Sequence, residues 1–341
     1  MIAVTGLRKV YHQPGREIRA LDGVSLTVPA NSVHGVIGQS GAGKSTLVRC
    51  LAMLDRPTAG TVEINGVELT TVSTNELRRA RRRLGVVFQH ANLFDSRTVE
   101  GNVAYPLELA GVGRPERLAK ARELLGLVGL GDAGAAHPAQ LSGGQRQRVG
   151  IARALATDPD VLLCDEPTSA LDPATTAEIL DLIAALKARL GLAVLVITHE
   201  MGVVKRVCDS VSLLDGGHIV ESGTLIDVVS AFGSRLSESL IGLPPTPPVS
   251  PEEGRPVEIL DVGESAELSA LTAASRHFGV DFQVIAASVE QLAGVTFGRW
   301  RVLVKPPLTP EEVVAHLRTH GVQASVGTPT PESALGPGAA R

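Results

Sequence analysis

An eight-residue glycine-rich stretch constrains this chain more than any other feature. The stretch consists of Gly38, Gln39, Ser40, Gly41, Ala42, Gly43, Lys44 and Ser45, and it is followed by Thr46. This spacing is that of a P-loop, in which glycines turn backbone N–H groups toward phosphate oxygens and a lysine reaches the β and γ phosphates. The apolar run 33–37 predicts a strand before the loop, and the spacing of apolar residues in 46–54 predicts a helix after it. The sequence therefore predicts a nucleotide site on a helix N-terminus, with the Ser45 hydroxyl directed at Mg²⁺.

Two acidic residues end a second strand that is predicted to be buried. Residues 161–164 are Val, Leu, Leu and Cys, a continuous apolar run that is typical of a central parallel strand. Asp165 stands at the carboxyl end of this strand, where P-loop NTPases hold Mg²⁺. Glu166 is the candidate that orients or deprotonates the attacking water. Without the P-loop, a surface acidic pair would be the better interpretation.

A second glycine loop follows the first by about a hundred residues. It consists of Leu141, Ser142, Gly143, Gly144 and Gln145. A loop of this type is useful only when it faces the P-loop of another chain. Since the chain has one P-loop of its own, we expect it to work as a homodimeric ATPase.

The order of these motifs resembles that of the ATP-binding subunits of ABC transporters. The resemblance includes Gln89 after the apolar run 84–88, the segment 169–172, which is Ser-Ala-Leu-Asp, and His199 after the apolar run 194–198. It implies a P-loop NTPase with a RecA-like core and a helical subdomain at about residues 90–145. It also implies a separate membrane permease, which would dock in a groove lined by residues near 89–102.

The resemblance assigns a role to each matching position. Tyr11 would stack on adenine, and Gln89 would contact Mg²⁺ and sense the membrane partner. Ser142, Gly143, Gly144 and Gln145 would bind the γ-phosphate of the ATP held by the opposite subunit. Asp172 would lie at the dimer seam. His199 would contact the γ-phosphate and keep the attacking water and Glu166 in register, so that Glu166 and His199 are the catalytic candidates.

Composition limits where such a protein works. The formal net charge of −4 argues against a general nucleic-acid binder. The chain shows no signal peptide and no apolar run near the ~18 residues that span a bilayer.

The three cysteines are expected to be buried, reduced thiols. The basic run 78–83 is interpreted as the solvated face of a helix, with phosphate or lipid contact as the alternative.

A proline-rich segment at residues 244–255 predicts a stiff linker between an ATP-binding domain, 1–243, and a smaller domain, 256–327. The patterns in the smaller domain predict the order βαββαβ, a ferredoxin-like α+β fold. Its predicted elements are strands at 257–262, 282–289, 295–304 and 322–326, and helices at 267–278 and from the capping box at Thr309. The tail 328–341, rich in Pro, Gly, Ala and Ser, is expected to be disordered.

An ABC ATPase followed by this small domain resembles the methionine importer ATPases that carry a NIL domain. Segments 279–281 and 294–298 are similar to NIL segments. The resemblance implies import of D- and L-methionine with a permease and an extracytoplasmic substrate-binding protein, at the cytoplasmic face of the cell membrane. It also implies methionine as a regulatory ligand that inhibits transport, and Phe282, Ile285 and Phe297 are the candidates for that pocket.

Three alternatives remain open from the sequence. The smaller domain could serve only dimerisation or stability. The transported solute could be another amino acid or small molecule, because the substrate never touches this chain. A non-transport, single-domain ABC ATPase is the third alternative, although such a protein would lack the linker and the βαββαβ unit.

Overall fold

The computed structural model describes residues 1–246, 250, 253–263 and 269–327, apart from the side chains of Gln13 and Ser269. By contacts the chain divides into two compact units, Met1–Gly223 and Thr224–Arg341. The predicted disordered tail, 328–341, lies outside the described residues, as does part of the predicted linker. None of the described helices has the length and apolar character needed to cross a membrane.

The first unit alternates strands and helices. Its strands are β1 Ile2–Gln13, β2 Arg16–Val28, β3 Ser32–Ile37, β4 Ala59–Ile64, β5 Val67–Glu68, β6 Leu84–Val87, β7 Val161–Asp165, β8 Ala193–Thr198, β9 Ser210–Asp215 and β10 His218–Thr224. Its helices are α1 Lys44–Leu51, α2 Thr74–Arg81, α3 Val99–Leu109, α4 Arg114–Leu127, α5 Gly143–Leu155, α6 Pro173–Leu190 and α7 Met201–Val207.

These strands form two sheets. The larger has the order β10-β9-β3-β8-β7-β6, and its ladders from β9 to β6 are parallel. The smaller, β2-β1-β4-β5, is antiparallel. In the larger sheet β8 is buried along its whole length, which explains its unbroken apolar sequence. Because parallel strands end at the same edge, the residues that follow β3, β7 and β8 are brought together there.

One apolar core joins the two sheets of the first unit. Leu47 and Leu51 of α1 pack with Leu163 and Leu195 of the parallel sheet and with Leu21 of the antiparallel sheet. Since α1 begins at the P-loop, this packing fixes the orientation of the helix N-terminus that the nucleotide would meet. A P-loop NTPase core with a mainly helical insertion, α3 and α4, was predicted and is confirmed.

The second unit contains the predicted βαββαβ order. Its elements are α8 Leu225–Ser230, α9 Arg235–Leu240, β11 Arg255–Val262, α10 Ser269–Phe278, β12 Gln283–Leu292, β13 Val295–Val304, α11 Pro310–Thr319 and β14 Gln323–Val326. The sheet order β12-β13-β11-β14 is that of a ferredoxin-like fold. Leu271 of α10 and Leu317 of α11 pack with Trp300 and Val302 against one face of the sheet. The fold prediction for this unit is therefore confirmed.

Residues 225–246 belong by contacts to the second unit, ahead of the proline-rich segment where the sequence predicts the boundary. Arg299 Nη1 donates to the Ile241 carbonyl at 3.3 Å, and Gln323 Nε2 donates to the Ser230 carbonyl at 2.7 Å. Arg301 Nη1 donates to Thr246 Oγ1 at 2.9 Å. Local composition marks the prolines, whereas these long-range contacts leave no sequence pattern. The functional boundary at 244–255 stays a prediction.

Candidate active site

A cavity of about 580 Å³ at the carboxyl edge of the parallel sheet contains most of the predicted nucleotide site. The lining residues are Ile18, Arg19, Ala20, Ser40, Gly41, Gly43, Lys44, Ser45, Thr46, Glu166 and His199. Residues separated by more than a hundred positions meet here, because the P-loop follows β3, Glu166 follows β7 and His199 follows β8. The cavity thus combines a phosphate-binding loop with two groups capable of proton chemistry.

The P-loop has the backbone that its glycines predict. Gly43 has φ 108° and immediately precedes α1, and a Cβ there would come within 2.4 Å of the Ala20 carbonyl oxygen. No side chain caps the N-terminus of α1, so its N–H groups can meet an anion. Lys44 Nζ donates to the carbonyls of Gly38 at 2.6 Å and Gln39 at 3.0 Å. The ammonium is therefore held over the loop, where phosphate oxygens would replace the two carbonyls.

Glu166 and His199 contact each other across the ends of two strands. His199 Nδ1 lies 3.1 Å from Glu166 Oε1. Glu166 has φ 48°, in the left-handed region, and its backbone N–H donates to the Ile197 carbonyl at 2.9 Å. Such backbone strain costs roughly 1–3 kcal/mol and tends to persist where function requires it. The strained turn points the carboxylate into the cavity rather than along the sheet.

Asp165 has the electrostatic environment of a cation ligand. Burial raises the pKa of this carboxyl, and the neighbouring charge of Glu166 raises it further, while Lys44 acts in the opposite direction. Two adjacent carboxylates with a single lysine leave negative charge that a divalent cation would neutralise. The Ser45 hydroxyl and the Asp165 carboxylate are oxygen donors of the kind that Mg²⁺ prefers. The residues present therefore fit a magnesium site.

The second glycine loop forms the N-terminus of α5. Ser142 Oγ accepts from the Gln145 backbone N–H at 3.2 Å, and Gln145 Oε1 accepts from the Ser142 N–H at 2.9 Å, a reciprocal capping box. A Cβ on Gly144 would lie 2.4 Å from Thr175 Cγ2, so close packing explains this glycine. No residue of the loop is among the described residues that line the nucleotide cavity. The structure thus leaves the two glycine loops of one chain apart.

Two further predicted residues lie near the second glycine loop. Asp172 caps α6, where its Oδ1 accepts from the N–H groups of Ala174 at 3.1 Å and Thr175 at 3.0 Å. Gln89 lines a separate cavity of about 170 Å³ together with Gly143. Neither residue lines the nucleotide cavity of its own chain. Their nucleotide and metal roles stay predictions.

Tyr11 lies beside the nucleotide cavity, and its hydroxyl donates to Asp55 Oδ2 at 2.8 Å. Asp55 also accepts from Arg49 Nε at 2.8 Å. The Arg49 bond and then the Tyr11 bond lower the pKa of Asp55 to about 2. Ile18, the cross-strand partner of Tyr11, lines the cavity. These contacts hold Tyr11 next to a residue that lines the cavity, and its stacking on adenine stays a prediction.

Sequence reasoning missed the contribution of β2 to this cavity. Ile18, Arg19 and Ala20 line it, although they belong to no motif. The signal that could have located them is the hairpin formed by β1 and β2, which brings β2 alongside Tyr11.

The three candidates for a regulatory pocket do not come together on one face of the sheet. Phe282 packs against the cluster that contains Trp300, on the helix side. Phe297 is 0% exposed, and strand alternation places it on the face opposite Trp300. Ile285 is partly buried and lies where the pairing of β12 with β13 changes register. The pocket stays a prediction.

The fold and the site together define an ATP-binding protein of the ABC type. The ABC transporter family profile matches residues 21–169, and the NIL domain profile matches residues 257–326. The methionine import ATP-binding protein MetN of Streptomyces coelicolor is 49% identical over 344 residues, with 98% of this chain and 97% of that protein covered. The protein of the same name from Thermobifida fusca is 52% identical over 304 residues, covering 89% and 93%.

A solved structure supports the same assignment for the first unit. An ATP-binding cassette determined as a dimer in a post-hydrolysis state, bound to ADP and Pi, matches with a TM-score of 0.61 and 35% identity. The match covers 66% of this chain and 99% of that one. This chain belongs to the family of methionine import ATP-binding proteins, and it is an ATP hydrolase of the ABC class.

Proposed function

We propose that the chain is the ATP-hydrolysing subunit of an importer for D- and L-methionine. It acts as a homodimer on the cytoplasmic face of the cell membrane, with a separate permease dimer and an extracytoplasmic substrate-binding protein. The names of relatives about 50% identical along nearly the whole chain support this substrate. The related cassette that was solved as a dimer supports the homodimer.

The separation of the two glycine loops is the observation that carries the proposal of a homodimeric ATPase. The nucleotide cavity of one chain contains Lys44, Glu166 and His199 but no described residue of the Ser142 loop. That loop forms the N-terminus of α5, where the positive end of the helix dipole suits a phosphate. Two copies arranged head to tail would place each Ser142 loop over the partner's P-loop. ATP then joins the copies, and its hydrolysis releases them.

In this proposal the chemical steps fall to three residues of this chain. Lys44 exchanges the Gly38 and Gln39 carbonyls for phosphate oxygens and neutralises their charge. Glu166 accepts a proton from the water that attacks the γ-phosphate. The His199 ring, 3.1 Å from Glu166 Oε1, keeps that carboxylate directed at the water. Both catalytic groups act only when the opposite subunit excludes solvent.

The remaining predicted residues position the nucleotide and the metal. Ser45 and Asp165, together with Gln89, would hold Mg²⁺, which would supply charge neutralisation for the phosphates. Tyr11 stacks on adenine beside Ile18. Asp172 lies at the seam between subunits, where its capping of α6 keeps the packing against Gly144 intact.

The second unit supplies feedback in this proposal. Methionine that binds it in the state with separated ATPase units draws the population away from the closed, ATP-bound dimer. Phe282, Ile285 and Phe297 remain the candidates, and their placement on both faces of the sheet requires a pocket completed by movement or by a second copy. Titration of methionine into the full-length chain, followed by ATPase assays of the assembled transporter, tests this. Absence of binding at cellular methionine concentrations would remove the feedback.

Uptake of labelled methionine in a deletion strain tests the transport function. The wild-type chain should restore uptake, whereas Glu166→Gln should not. Competition with other amino acids identifies the solute. Restored uptake of a different amino acid, with no methionine uptake, would overturn the methionine assignment and leave the ATPase assignment intact.

A further inference from the structure

Tyr11 has polar contacts that stacking on a base does not by itself require. Its hydroxyl donates to Asp55 Oδ2 at 2.8 Å, and Thr46, which lines the nucleotide cavity, is a second hydrogen-bonding neighbour of that hydroxyl. Asp55 follows α1, the helix that begins at the P-loop. A side chain of β1 is thus tied to the last turn of the helix whose N-terminus would meet the phosphates.

The last turn of α1 holds Asp55 in place. Arg49 binds both oxygens of the Asp55 carboxylate, with Nε 2.8 Å from Oδ2 and Nη2 3.1 Å from Oδ1. The backbone N–H of Asp55 also donates to the Arg49 carbonyl at 3.1 Å. A bidentate pair of arginine and carboxylate has a defined geometry. The oxygen that accepts from the Tyr11 hydroxyl therefore has a fixed position relative to α1.

The protonation states of Tyr11 and Asp55 preserve their hydrogen bond at neutral pH. The bonds from Arg49 and Tyr11 lower the pKa of Asp55 to about 2, so its carboxylate is ionised and acts only as an acceptor. Burial and the bond to Asp55 raise the pKa of Tyr11, so the phenol keeps the proton that it donates. Hydrogen bonds to an ionised acceptor are roughly twice as strong as those between neutral groups.

One face of the Tyr11 ring is covered by a cation. Lys9 Nζ lies over the ring at 4.9 Å from its centroid, and it donates to the Arg56 carbonyl at 2.8 Å. An ammonium group in this position is attracted to the ring face. A base can therefore stack on the opposite face only.

We propose that Asp55, held by Arg49, is a positioning residue for the nucleotide base. It fixes the Tyr11 ring relative to α1, so that the stacked adenine and the phosphates at the P-loop are aligned by the same helix. This inference rests on the proposed stacking of Tyr11 on adenine. Such preorganisation raises affinity, because a ring that is already ordered loses little freedom when the nucleotide binds.

Two ligands, one with a base and one without, test the proposal. The dissociation constants of ADP and of inorganic pyrophosphate are measured by isothermal titration calorimetry with the full-length chain. Asp55→Ala and Tyr11→Phe should each weaken ADP binding by about threefold to tenfold, the effect of one hydrogen bond, and leave pyrophosphate binding unchanged. Arg56→Ala is the matched control, because it removes a neighbouring charge and keeps the backbone carbonyl that Lys9 contacts.

A double variant shows whether the two side chains act through one contact. Tyr11→Phe/Asp55→Ala should weaken ADP binding no further than Asp55→Ala alone, because both changes remove the same hydrogen bond. Additive losses would overturn the proposal. Unchanged ADP binding in Asp55→Ala would also overturn it, and so would an equal weakening of ADP and pyrophosphate, which would indicate damage to the P-loop.

Tyr11→Ala separates this proposal from the stacking on which it rests. If Tyr11→Ala weakens ADP binding while Asp55→Ala does not, stacking is supported and only the positioning role of Asp55 fails. If Tyr11→Ala binds ADP as tightly as the wild type, Tyr11 does not hold the base, and the positioning role fails together with the stacking.

Discussion

Glu166 shows how much a single residue contributes to this site. Its φ of 48° and the bond from its N–H to Ile197 turn the carboxylate away from the axis of β7. Asp165, one position earlier, keeps strand geometry and has a pKa raised by burial. Adjacent carboxylates are thus given different environments, which suits one for a metal ion and the other for water.

Removing the Glu166 carboxylate should stop turnover without preventing ATP binding. Glu166→Gln keeps the side-chain volume and loses the proton acceptor, so we expect kcat to fall by about 10²–10⁴-fold. ATP should then hold two copies together, which size-exclusion chromatography with ATP and Mg²⁺ would detect. Hydrolysis at the wild-type rate would contradict the role of Glu166.

Gly144 provides a test of packing at the second glycine loop. A Cβ there would lie 2.4 Å from Thr175 Cγ2, so Gly144→Ala should displace the start of α5 and reduce ATPase activity by about tenfold. Thr175→Ser removes the methyl group and keeps the hydroxyl that donates to Asp172 at 2.6 Å. The double variant Gly144→Ala/Thr175→Ser should therefore recover activity in steady-state assays. Equal losses in the single and double variants would show that the clash is not the cause.

At the scale of elements, β3 is held to β9 by a buried histidine. His34 Nδ1 lies 2.7 Å from Ser210 Oγ, and Nε2 lies 2.8 Å from Ser212 Oγ. Burial lowers the pKa of His34 to about 4. Because β3 leads directly into the P-loop, the position of the P-loop depends on the stability of this strand.

The His34 environment predicts a loss of stability in acid. Between an unfolded pKa near 6.5 and the folded value of about 4, only the unfolded chain takes up the proton, so stability falls as pH falls. We expect the first unit to lose ~2 kcal/mol from this group between pH 7 and pH 5. Urea unfolding of the wild type and His34→Asn at both values measures it. The variant should show a smaller decrease, and equal decreases would refute the assignment.

The contacts within the second unit predict the residue at which a stable fragment of it begins. Glu258 is close to both Arg299 (Nη2 to Oε2, 2.8 Å) and Arg301 (Nη2 to Oε1, 2.6 Å), and Arg299 also bonds to Ile241. A fragment starting at residue 224 keeps the Ile241 contact, whereas one starting at 244 loses it and uncovers Arg299. Thermal melting should therefore give a higher Tm for fragment 224–341. Equal Tm values would show that residues 224–243 do not stabilise the unit.

Elements and motifs could be predicted from the sequence where a short-range residue pattern determines them. The P-loop and the Thr309 capping box are confirmed because short-range geometry requires their residue types. The contribution of Ile18 to the cavity and the attachment of Ile241 to Arg299 could not be predicted, since they depend on contacts between distant segments. Phe297 looked available for a ligand in the sequence, yet the fold buries it completely.

In the whole molecule, ATP hydrolysis depends on a site shared between two copies. Mixing two impaired variants tests it most directly. Glu166→Gln lacks the water-activating carboxylate, and Ser142→Asp keeps an N-cap residue but places a negative charge against the partner's γ-phosphate. Each variant alone should be inactive. A mixed dimer contains one intact site, so the mixture should regain up to about a quarter of wild-type ATPase activity. An inactive mixture, or full activity of Ser142→Asp alone, would show that the site is not shared between two copies.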